Sequence, residues 1–205
     1  MTTTNQDKHD QFNEFFSIAH NFTVNVTPLN NTQVTSYQNF LDAIPTPFLM
    51  ASEISSLDQA ALKPLQALSG VAGQLIDYLN HQARKIDLLM GYIVQQQDES
   101  NKRYQGVSFG GGGFTFVCEQ PFAIGTFIEV KLFIPTDNCA IYCYGEIINH
   151  TPQPENETTS AQQEYQVVYH FIRDEDRDAL VRASLHKQAK DLQALAAKRK
   201  QKEAE

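Results

Sequence analysis

Ser108 stands two residues ahead of four consecutive glycines in the stretch "YQGVSFGGGGFTF", Tyr104 to Phe116. A hydroxyl beside the N–H groups of a glycine turn can donate to phosphate oxygens, because successive amides with no Cβ between them form an anion-accepting concavity. Each glycine also adds to the entropy that folding must overcome. Four in a row therefore call for a tight turn or bulge with positive φ, or for a place where another backbone or a ligand lies against bare main chain. The better-known arrangements are absent. No Lys-Ser or Lys-Thr follows the glycines, as a Walker loop needs. "FTFVCEQ" after Gly113 reads as a strand, where a dinucleotide-binding turn would open a helix. Ser108 is followed by Phe109 before Gly110, which breaks a Gly-x-Ser-x-Gly elbow.

The other reactive side chains do not gather. Cys118, Cys139 and Cys143 lack C-x-x-C spacing, and His9, His20, His81, His150, His170 and His186 form no H-E-x-x-H pair, so neither a disulfide framework nor a metal site is expected. With no catalytic signature either, the chain reads as a binding or interaction protein without a cofactor and not as an enzyme. Its formal net charge of −8 opposes a broad DNA- or RNA-binding surface. The cluster Lys198, Arg199, Lys200 and Lys202 is the exception, and it also complements the dipole of a terminal helix. The start "MTTTNQDKHDQFNEFF" lacks a basic leader followed by an apolar run, and no segment approaches about 18 uninterrupted apolar residues, so a cytoplasmic protein with no membrane span is expected.

The elements that must position Ser108 and the glycines fall into four regions. Residues 1–55 are mixed: "DQFNEFFSIA" suggests a short helix, "NFTVNV" alternates as a strand does, and Pro45 and Pro47 suggest an extended connector. Residues 56–100 carry a heptad repeat. With Leu65 at position a, the a set is Leu65, Ala72, Leu79, Ile86 and Ile93, and d holds Leu68, Leu75, Gln82 and Leu89. Leu62, Ile76 and Met90 at e widen the stripe beyond a two-stranded seam, which suits a helix with two or more neighbours, from the same chain or from other copies. Pro64 is expected to kink or restart this helix, and Gly70 and Gly73 to admit a close backbone. Residues 101–173 read as short alternating strands with no helical crossover, hence an antiparallel sheet or small barrel. Residues 174–205 form a closing helix and basic tail, with Asp174 as its N-cap and Val181, Leu185, Gln188, Leu192 and Leu195 at heptad-compatible spacing. The fold class is α+β: a small antiparallel barrel with a long heptad-patterned helix before it and a C-terminal helix after it.

"GVSFGG", Gly106 to Gly111, resembles the D/N-x-S-x-x-G motif of the PilZ domain family. The strands "PFAIGTFIEVKLFIP", "IYCYGEII" and "YQVVYHFIRDEDRDALV" follow in that family's order, so that the resemblance covers about Asn101 to Leu195. It implies a small barrel with a closing helix and, for many members, a receptor for the bacterial second messenger cyclic di-GMP. Carried over, Ser108 and Gly111 occupy the Ser and Gly of the motif, while Gly106 stands where Asp or Asn is expected. The family's R-x-x-x-R shortly before the first strand is missing, and Lys102 and Arg103 are the cations near the motif. Two readings follow. One is a cyclic di-GMP receptor and effector that acts through protein–protein contacts, with a degenerate site of Ser108, Gly111, Arg103 and Lys102. The other is an oligomeric scaffold that no longer binds the nucleotide. On either reading the heptad helix makes a homo-oligomer.

Overall fold

The computed structural model describes residues 5–30, 34, 36–54, 71–134, 139–152 and 162–202. The expectations placed on Leu62, Pro64, Leu65, Leu68 and Gly70 lie outside the described residues, as do the side chains of Ala72, Lys198, Arg199, Lys200 and Lys202.

Six strands close an antiparallel barrel: β1 Ser17–Pro28, β2 Arg103–Gly110, β3 Gly113–Cys118, β4 Phe127–Ile134, β5 Cys139–Pro152 and β6 Gln163–Phe171, in the spatial order β1-β2-β3-β6-β5-β4. The alternating apolar residues point inward. Phe109, Phe114, Phe116, Ile128, Val130, Leu132, Cys143, Tyr165 and Val167 are fully buried in one core. β5 is buried on both sides from Ile141 to Ile148, because its outer face is covered too.

Confining the barrel to residues 101–173 leaves out its first strand. β1 pairs with β2 from Ser17↔Gly110 to Asn25↔Arg103, and with β4 from Thr23↔Phe133 to Pro28↔Ile128. Without it, β2 and β4 would present open edges with unpaired N–H and C=O groups. The alternation of Phe22, Val24 and Val26 is the local sign of this strand, and all three are buried in the common core.

Between β1 and β2 the chain makes α2 Tyr37–Ala43, helical residues 46–54 (α3) and α4 Val71–Gln95; α1 Asn5–Glu14 precedes the barrel and α5 Asp174–Lys202 follows it. Ser36 caps α2, its Oγ accepting from the Asn39 N–H at 3.2 Å. Pro47 lies in the first turn of α3, where its missing N–H leaves no helical bond unmade. The expected extended connector is thus a break between two short helices. Their buried Phe40, Ile44 and Phe48 pack with Met90 and Val94 of α4 on Tyr142 and Tyr144, which form the outer face of β5. α5 closes the barrel with Leu180 and Ala183. Asp174, Glu175 and Asp176 fill its first turn and complement the helix dipole. Asp174 is thus the first helical residue, one place past its expected N-cap position. Asp176 is buried against the Arg173 guanidinium, which donates to both carboxylate oxygens at 2.7 and 2.8 Å.

Candidate functional site

The four glycines do not adopt left-handed backbone; among the described residues the glycine with positive φ is Gly125, at 86°. Close approach is their reason. A Cβ on Gly110 would lie 2.4 Å from the Phe16 carbonyl oxygen, and one on Gly112 would lie 2.4 Å from that of Gln11. On Gly111 it would meet the Phe15 ring at 2.6 Å, and on Gly113 the Val167 carbonyl oxygen at 2.1 Å and the Phe12 ring at 2.6 Å. The bare main chain is a bed for the end of α1 and the start of β1, and it is occupied by the protein itself.

Ser108 pairs with Thr115 across β2 and β3, their hydroxyl oxygens 2.9 Å apart. The Gly111 carbonyl accepts from the Arg177 guanidinium at 2.7 Å, and the same guanidinium lies 5.7 Å from the centroid of the Phe15 ring. Gly106 is buried in the barrel wall, where a Cβ would fall 2.2 Å from the Phe22 ring. A side chain at this position would have to displace the Phe22 ring. Ser108 lies near the Gly110 end of β2, and Gly111 follows that strand, against the Phe15 ring just past α1.

Lys102 and Arg103 stand at the other end. Arg103 faces Asn25 and Gly110 faces Ser17 in the β1–β2 register, so Arg103 and Ser108 are separated by about 17 Å at the rise of a strand. Both cations are already engaged. Arg103 grips Asp98 through Nε at 3.1 Å and Nη2 at 2.8 Å, and Lys102 Nζ lies 2.7 Å from Glu99. Around them a joint fastens the end of α4 to the barrel. The buried Asn25 donates to Asp98 at 2.9 Å and accepts from the Glu99 N–H at 2.8 Å, while Lys131 reaches Glu99 at 2.8 Å. Hydrogen bonds from Lys102 and Lys131 hold the Glu99 carboxyl below its ordinary range.

Because β1 is the first strand, the place that the resemblance gives to an arginine pair falls on the end of α1. "HDQFNEFF", residues 9–16, contains no Arg or Lys. The nearest cation is Lys8, which pairs with the buried Glu146 at 2.5 Å. Reading the barrel from residue 101 pointed to Lys102 and Arg103 instead, which stand at the start of the second strand. Lys8, Glu146 and Arg177 are functional candidates that sequence reasoning missed, since their partners lie on elements remote in sequence. Among the described residues, no group of three or more His, Cys, Asp or Glu is placed to hold a metal ion, and no helix is long and apolar enough to cross a membrane.

A second surface lies on α4. Leu75, Leu79, Ile86, Leu89 and Ile93 carry the heptad seam and are 60, 38, 46, 65 and 42% exposed. Met90 and Val94, on the adjoining side, are covered by α2, α3 and β5. Leu185, Leu192 and Leu195 of α5 are exposed as well. The wide stripe is thus divided: one side packs within the chain and the a/d seam is open.

A model of the PilZ domain matches residues 81–185. That match takes in the end of α4, β2 to β6 and the start of α5, and omits β1. A tetrameric PilZ-domain protein from Xanthomonas campestris, self-assembled through a helical bundle, is similar in structure with a TM-score of 0.54 at 15% identity, covering 90% of this chain and 96% of that one. The Bacillus subtilis inhibitor of motility matches with a TM-score of 0.38 at 17% identity over 43% of this chain and 42% of its own. The PilZ domain of Escherichia coli YcgR with cyclic di-GMP matches with a TM-score of 0.40 at 9% identity over 48% and 83%. No curated protein matches the chain.

Proposed function

The chain belongs to the PilZ domain family, and from that premise we propose that it is a cytoplasmic adaptor that works through protein–protein contacts as a homo-oligomer joined along α4. The observation that carries this reading is the open seam of Leu75, Leu79, Ile86, Leu89 and Ile93. An apolar stripe at a period of 3.5 residues fits the same stripe on another copy, knobs into holes. The Xanthomonas campestris protein, which shares the fold and assembles through a helical bundle, supports it. No catalytic step is part of the proposal.

Cyclic di-GMP binding is the second reading, favoured by the retention of Ser108 and Gly111. On it the nucleotide lies against those two residues, after α1 has moved aside, with Lys102 and Arg103 as candidate cations. An arginine pair clamps phosphates and guanine edges by a fork geometry that a lone lysine does not reproduce. Each missing charge-assisted hydrogen bond costs about 1.5–3 kcal/mol, and each 1.4 kcal/mol is about tenfold in affinity. The proposal therefore expects cyclic di-GMP binding to be undetectable by calorimetry at micromolar protein.

Two measurements test the pair. Light scattering after size-exclusion chromatography should give a multiple of the single-chain mass, and Leu75→Glu should lower it while the circular dichroism of the barrel is kept. A single-chain mass for the unmodified protein across a wide concentration range removes the adaptor reading. Tight nucleotide binding abolished by Ser108→Ala or Arg103→Ala establishes the receptor instead.

A further inference from the structure

We propose that the barrel face beneath α1 is a helix-docking surface, which a partner protein's helix can enter in place of α1 if it carries Lys, Gln, Phe and Phe at the spacing of Lys8, Gln11, Phe12 and Phe15. These four positions are i, i+3, i+4 and i+7, one side of a helix and its exit. Each has a counterpart on the barrel. Lys8 pairs with Glu146, whose side chain is 8% exposed, and the Gln11 amide donates to the Tyr169 carbonyl at 3.1 Å. The Phe12 and Phe15 rings rest on Gly113 and Gly111, and the Arg177 guanidinium covers the Phe15 ring.

The surface selects for this chemistry. Removing the lysine leaves a buried carboxylate without its cation, a costly arrangement. Replacing the bare backbone of Gly112 by any side chain would push into the carbonyls of Gln11 and Phe12, at 2.4 and 2.8 Å from a Cβ. The docking face is built from β3, β5, β6 and α5, which hold one another through strand pairing and the barrel core without α1. α1 itself is lightly held. Lys8, His9, Gln11 and Phe12 are half-buried and its other described side chains are exposed. A ten-residue helix is marginal on its own, so its order depends on this docking. A stable receptor face under a weakly held cover is the arrangement that permits exchange in trans.

The test uses the full chain and a fluorescent peptide of residues 5–16. Lys8→Glu sets two carboxylates against each other and should release α1. The labelled peptide is expected to bind the Lys8→Glu chain at least about tenfold more tightly than the unmodified chain, and amide exchange over residues 110–113 should quicken in that variant and slow again when peptide is added. A peptide that itself carries Lys8→Glu should not bind. Adding Glu146→Lys to the Lys8→Glu chain restores the pair with its signs reversed, and should close the face and return both readouts to those of the unmodified chain. Unchanged exchange and no peptide binding in a folded Lys8→Glu chain would overturn the proposal. So would loss of the barrel fold in Lys8→Glu that the reversed pair rescues, since α1 would then be a structural part of the barrel and not its cover.

Discussion

Of the four consecutive glycines, Gly113 has the least tolerance for a side chain. Its Cβ would fall 2.1 Å from the carbonyl oxygen of Val167, in the strand paired with β3, and neither strand can move without breaking the ladder. At Gly112 the obstructing carbonyl belongs to Gln11 on the lightly held α1, at Gly110 it belongs to Phe16, next to the Ser17 that pairs with Gly110, and at Gly111 the nearest atoms are the side chains of Phe15 and Val181. Overpacking of this kind typically costs about 1–3 kcal/mol. Gly113→Ala should therefore lower the melting temperature most, by roughly 2–4 °C per kcal/mol in a domain of this size. Gly111→Ala should lower it least, and four equal melting temperatures would show that the glycines are not a packing surface. The run demanded a reason that was legible in the sequence; the reason itself was not. Expecting positive φ treats the glycines as a local turn, whereas the atoms that need their missing Cβ come from elements remote in sequence: Gln11 to Phe16 upstream, and Val167 and Val181 downstream.

At the scale of elements, the connector between α4 and β2 is fastened to the barrel by polar contacts. Asn25 on β1 binds both Asp98 and Glu99, and Lys131 on β4 binds Glu99, so two strands hold the connector that follows α4. Glu99 has its carboxyl held below the ordinary range by Lys102 and Lys131, so the folded state favours its ionised form. The stability this contributes is complete above the ordinary carboxylate pKa and is lost as pH falls through the lowered folded value. Melting temperature followed by circular dichroism should therefore drop with acidification below about pH 4.3, the usual glutamate value. Glu99→Gln should start lower at neutral pH and show a shallower drop, and identical profiles would remove Glu99 from the joint. The strands β3 to β6 and the long helices were legible, because Ile128, Val130 and Leu132 alternate at a period of two and the α4 stripe repeats at three and four. β1 was visible only as an isolated strand. Its partners at Gly110 and Phe133 are separated from it by the three helices, and strand alternation carries no information about which edge a strand fills.

For the whole molecule, the strands close a barrel within one chain, while α4 leaves an apolar seam exposed. Phe109, Phe114, Leu132 and Val167 of the barrel core are fully buried, whereas Leu75, Leu88, Leu89 and Tyr92 stand 60, 64, 65 and 65% exposed on one helix. Scattered surface leucines are ordinary; a stripe of them along one helix marks an interaction surface. If association stabilises the fold, stability must depend on concentration, because only the folded helix presents the seam. Each tenfold dilution removes about 1.4 kcal/mol per association step from the assembled state. The unmodified protein should then melt a few degrees lower for each tenfold dilution, until it reaches the temperature of the free subunit and stays there. Leu89→Glu, which places a charge in the seam without touching the barrel core, should melt at that lower plateau at every concentration and run as a single chain. A melting temperature independent of dilution in the unmodified protein, with Leu89→Glu unchanged from it, would mean that α4 contributes nothing to assembly and that its exposed stripe serves a partner of another kind.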